Sequence, residues 1–168
     1  MPKTYEPIST TTLGTATNIV TFSSIPQTYT DLILVTNFAT SVLNEDAYVQ
    51  FNSDTGTNYS RTHVRGNGSS ALSSRAANQP FIPIDIDSSG TTLNTGIHTT
   101  THFMNYTNAT TFKTIICRSG TNGGSFTGTT LLFGLWRSTS AITRIDVKAT
   151  GGNFVVGSTF TFYGVKSA

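Results

Sequence analysis

What most constrains this chain is its rhythm. Short runs of β-branched and aromatic residues recur along its length, each closed off by Gly, Asn, Ser or Pro. No window repeats its apolar residues with the roughly 3.6-residue period of a helix. The runs are NIVTF (18–22), DLILVTNF (31–38), AYVQF (47–51), YSRTHVR (59–65), FIPIDI (81–86), HTTTHFMNY (98–106), FKTIICR (112–118), LLFGLWR (131–137), ITRIDVKA (142–149) and TFTFYGV (159–165). About ten short strands at this spacing predict an all-β sandwich or barrel. The one helix the sequence suggests is short, at ALSSRAANQ (71–79), just before Pro80.

Alternation says how the strands sit. In RIDVKA, Ile145, Val147 and Ala149 point one way and Arg144, Asp146 and Lys148 the other, the mark of a sheet with one dry and one wet face. DLILV and LLFGLW are apolar on both faces, so each is either central in a two-layer sandwich or meets a partner chain with its outer face. Pro83 places FIPIDI at a sheet edge. Residues 1–15 carry two prolines and no strand pattern, and read as an extended arm ahead of a single domain over 16–168.

Composition sharpens this. Only 36% of residues are hydrophobic and 11% charged, against roughly 45–50% (Gly included) and about 25% in ordinary globular chains. Thr, Ser, Asn and Gly fill the gap, and Thr suits a half-buried pleated surface, so the low charge points to a hydroxyl-rich sheet rather than to disorder. A surface with so few charges to keep copies apart suits a protein that assembles. A net charge of +2 with scattered Lys and Arg is too mild for a nucleic-acid binder. The one basic cluster is Arg61, His63, Arg65 and Arg75. Cys117 is the only cysteine, lies in an apolar run and reads as a buried small hydrophobe. No secretory h-region and no membrane-length apolar stretch is expected. The sequons at Asn58, Asn67, Asn105 and Asn108 are what a chain this rich in Ser and Thr gives by chance.

The candidate chemistry is thin. FNSDTGTNYSRTHVRGNGSS (51–70) is crowded with oxygens, but Gly56 falls where a calcium loop needs a ligand, and no Glu closes the ring. SDTGTN instead suits a hairpin turn. His98 and His102 would share a metal on a helix, but on a strand they stand roughly 13 Å apart. Asp85 and Asp87 on a strand have carboxylates at a spacing a glycosidase could use, yet no third group or aromatic sugar platform joins them, so a polar strand end is preferred. No nucleophile elbow, phosphate loop or dinucleotide fingerprint occurs, and SGTNGGSFTG (119–128) reads as a loop. Trp136, in an apolar run, reads as core, while Tyr48, Tyr59, Tyr106 and Tyr163 are left open as sugar-stacking candidates.

Three segments carry a resemblance. TYEPISTTTLG (4–14) with IVTFSSIPQTYTDLILV (19–35), then VQFNSDTGTNYSRTHVRGNGSS (49–70), then ITRIDVKATGGNFVVGSTFTFYGVK (142–166) resemble, in that order, small virion proteins of tailed bacteriophages; 71–141 matches less clearly. The resemblance implies an antiparallel β-sandwich or jelly roll displayed on the particle. It implies no catalytic residues, no cofactor and no metal. The expected role is a non-enzymatic capsid decoration or cement protein, a homo-oligomer such as a trimer that binds the major capsid protein on the outer surface of the head, after assembly in the host cytoplasm. The alternative is a tail-fibre or receptor-binding module for host surface glycans. No nucleic-acid or membrane partner is expected. Tyr5, Glu6, Pro7 and Ile8 of the arm are the expected grip on a partner. Arg61, His63 and Arg65, on one face of their strand, are the expected contact with an acidic capsid surface.

Overall fold

In the computed structural model the described residues are 4–86, 90–123 and 126–166. They form two antiparallel sheets. The larger contains, in spatial order, β1 (Tyr5–Thr12), β12 (Thr159–Val165), β3 (Asp31–Phe38), β8 (Ile97–Met104), β9 (Lys113–Thr121), β10 (Gly128–Trp136), β5 (Tyr59–Gly66) and β6 (Ala71–Gln79). The smaller contains β2 (Ile19–Phe22), β11 (Ile145–Ala149), β4 (Ala47–Phe51) and β7 (Ile82–Pro83).

The pairing is nested. β1 lies beside β12, β2 beside β11, β3 beside β8, and β4 beside β7. Two sheets wound together in this order are a jelly roll. Two further hairpins depart from the plain form. β5–β6 is inserted between β4 and β7, and β9–β10 between β8 and β11, and both add to the same edge of the larger sheet. That sheet therefore extends well past the smaller one.

The core lies between the sheets and is rich in aromatic rings. Phe51 from the smaller sheet packs against Tyr59, Phe103 and Trp136 from the larger, at centroid distances of 6.0, 5.9 and 5.4 Å. Phe22 stacks on Phe162 at 4.9 Å. Trp136 is buried, as its apolar run predicts, and so is Cys117, whose thiol donates to the Ile84 carbonyl at 2.9 Å.

Two expectations are corrected. Residues 71–79 are a strand, not a short helix. Ala, Leu, Arg and Gln favour a helix, but the Asn67–Ser70 turn sets ALSSRAANQ against β5, and ladder pairing overrides the weak local preference. The segment read as an arm without strand pattern is likewise an edge strand, in register with β12 from Tyr5↔Val165 to Thr12↔Thr159. Pro7 is tolerated because it sits at the edge, where the ladder shifts between Pro7 and Ser9. Pro83 does mark an edge, since β7 is the outermost strand of the smaller sheet, though that strand is only 2 residues long.

Candidate functional site

The polar stretch that follows Phe51 is not a hairpin. β4 belongs to the smaller sheet and β5 to the larger, so residues 52–58 form an arch between layers. Asn52 and Ser53 enter it with φ of 51° and 60°, a left-handed conformation that Asn adopts more readily than most residues. The Asn52 side chain accepts from the backbone N–H of Thr143 (2.9 Å) and Arg144 (3.1 Å) and donates to the Ala141 carbonyl (2.8 Å). Asp54 accepts from Gly56 N–H (2.8 Å), Asn58 Nδ2 (2.9 Å) and the Trp136 indole (2.7 Å). Burial pushes the Asp54 carboxyl up, but these three hydrogen bonds outweigh it and hold the group below its ordinary range. The Tyr59 hydroxyl donates to the Asp54 carbonyl (3.0 Å) and accepts from Phe51 N–H (3.1 Å), and burial drives its pKa well up. The side-chain oxygens of Asn52 and Asp54 are thus occupied in tying the arch to the two sheets. Among the described residues no three His, Cys, Asp or Glu side chains cluster to hold an ion.

Arg61, His63 and Arg65 do share one face, but it is the inner one. Their cross-strand partners on β10 are Gly134, Leu132 and Thr130, and Leu132 and Thr130 are buried. His63 itself is 6% exposed. Arg65 donates to the Ile86 carbonyl at 3.0 Å and lies 4.7 Å above the Phe126 ring. Burial lowers the pKa of Arg61, with Asp46 opposing. The trio thus lies on the inner face of the overhanging part of the larger sheet, with His63 buried and Arg61 and Arg65 half-buried. Glu6 pairs with Lys166 at 3.0 Å and accepts from the Tyr29 hydroxyl at 3.2 Å, and Ile8 packs against the core. Of the four residues read as a grip, Tyr5, at 59% exposed, and Pro7 present open surface.

His98 and His102 stand four residues apart on the outer face of β8, as a strand requires. His102 Nε2 meets Asp31 Oδ2 at 3.0 Å, and Asp31 Oδ1 accepts from Asn105 N–H at 2.6 Å. Asp85 lies beyond the end of β7 and is buried, so it is not on a strand face open to solvent. Asp87 lies outside the described residues. Tyr106 is buried with its hydroxyl on the Pro26 carbonyl, and Tyr48 stacks on Phe81 at 4.2 Å.

The ladder registers give the outer face of the larger sheet position by position. One row across the strands reads Thr161, Val35, Thr100, Arg118, Leu131, Val64. The next reads Tyr163, Ile33, His102, Ile116, Phe133, Thr62. Val35, Val64, Leu131 and Phe133 are 41–51% exposed, which for side chains this large is an uncovered apolar belt. Threonines flank it: Thr12, Thr159 and Thr129 in the row on one side, with Gly120 and Gly66 opening a trough of about 980 Å³ beside Val35, Leu131 and Arg118. Formal charges on the whole face are limited to Asp31, Arg75 and Arg118. The apolar character of DLILV and LLFGLW on both faces pointed to this surface; its extent came from the two inserted hairpins, which no local pattern announces. No family model matches the chain, and no curated protein is significantly similar to it.

Proposed function

We propose that this chain is a non-enzymatic structural protein of a bacteriophage particle, a capsid decoration or cement protein that works as a homo-oligomer on the major capsid protein lattice. The observation that carries the reading is the outer face of the larger sheet: broad, apolar at its centre and nearly free of charge, it is a surface for packing against protein. The resemblance of three segments to small virion proteins supplies the setting. The polar groups support a scaffold role, since Asp54 of the arch, Arg65 and Glu6 are engaged within the fold. A decoration protein stabilises a head by covering seams, and a rigid sandwich with an extended sheet suits that task.

A second reading, a tail-fibre or receptor-binding module for host glycans, is favoured by the trough, where Thr100, Thr129 and Arg118 could hydrogen-bond sugar hydroxyls beside an apolar floor. Copy number and position in the intact particle, by quantitative mass spectrometry with imaging, decide between the two. Hundreds of copies over the head are expected. A dozen or fewer at the tail would move the protein to the fibre reading, and absence from particles would end both.

A further inference from the structure

We infer that the outer face of the larger sheet is a self-association surface, covered by the same face of a second copy of this chain. The inference rests on the reading of the chain as a self-assembling structural unit and names the surface that does it.

Three observations favour a second copy over a different partner. The first is area. With strands ~4.8 Å apart and same-face residues ~6.8 Å apart along each strand, eight strands by four rows cover roughly 34 by 20 Å, on the order of 700 Å². Two such faces together bury roughly 1,400 Å², inside the range of a stable interface. The second is charge. Asp31 is already paired with His102 at 3.0 Å, leaving Arg118 as the one formal charge within the belt. A partner recognised by charge would find almost nothing to complement, while a second copy brings the same apolar belt, with Arg118 the one group on each face that must reach a polar margin. The third is the sheet edges. β1 is guarded by Pro7, by its register shift and by the Glu6–Lys166 pair, which disfavours strand addition at that edge and leaves β6, at the other edge, as the competing contact. Two sheets packed face to face, with side chains interdigitated, are the arrangement already used between the layers of each copy.

The test is sedimentation velocity and light scattering on the full chain over a wide concentration range. The wild type is expected at two or more times 18.0 kDa, and Leu131→Glu at 18.0 kDa with unchanged far-UV circular dichroism. A second measurement does not depend on a charged substitution being tolerated. Thr100→Cys, near the centre of the face, should give a covalent dimer on mild oxidation, while Asn18→Cys, beside the smaller sheet, should not. A wild type that stays at 18.0 kDa with no Thr100→Cys dimer overturns both this inference and the self-assembling reading. A wild-type oligomer that survives Leu131→Glu, fails to cross-link through Thr100→Cys and falls apart on Ser73→Pro in β6 overturns the inference alone, and places assembly at the open sheet edge.

Discussion

Asp54 shows how one residue of a surface turn can hold a fold together. It lies in the arch, yet it accepts a hydrogen bond from Trp136, 82 positions further on. Asp54→Ala strands the buried indole N–H and frees the arch, and should cost about 1–3 kcal/mol, read as a lower midpoint in urea denaturation. Asp146 is held in a similar way. Burial pushes its carboxyl up, but Arg144, at 3.0 Å to each oxygen, and Thr21, at 2.6 Å, outweigh it and lower the pKa. Both groups have folded pKa values below the unfolded value of about 3.9, so their contribution is present at neutral pH and is lost as pH falls from about 4 through the folded values. Stability should fall as the pH drops below about 4, and the fall should be shallower in Asp54→Ala. SDTGTN was legible as a turn because Asp and Gly carry their own local geometry. The Trp136 bond was not, because nothing in a local pattern reports a partner so far along the chain.

Among the elements, those with strong alternation were legible and those held by a neighbour were not. β11 runs where the alternation of RIDVKA puts it, but the face expected to be wet is not: Asp146 is buried, held by Arg144 and Thr21. β1 and β6 are strands only because β12 and β5 offer them ladders, and both were read otherwise from their prolines and their helix-forming residues. The turn into β6 can be tested directly. Asn67 Oδ1 accepts from the N–H groups of Ser69 (3.0 Å) and Ser70 (2.8 Å), and Gly68 passes through φ = +87°. A Cβ at Gly68 meets nothing within 4 Å, so Gly68→Ala isolates the backbone strain. It should cost about 1 kcal/mol, seen as a small drop in the urea midpoint with no change in cooperativity.

For the whole molecule, the sandwich was legible from strand count and spacing, and the burial of Trp136 and Cys117 from their apolar runs. The overhang of the larger sheet was not, because inserted hairpins look like any other pair of strands. The layers are joined where Phe51 meets Tyr59, Phe103 and Trp136. Phe51→Ala opens a cavity where the layers meet and should cost about 3–5 kcal/mol. Against a total stability of about 5–15 kcal/mol, that loss should show as a much lower thermal midpoint, or as failure to accumulate folded protein.

The nested winding also dictates when the protein can come into being. β1 completes its ladder only with β12, and β2 only with β11, so the earliest strands made await the latest. A chain built this way cannot lock its sheets progressively during synthesis. It must hold β1–β4 in an unfinished state until the last strands leave the ribosome, and then close long loops in a slow step.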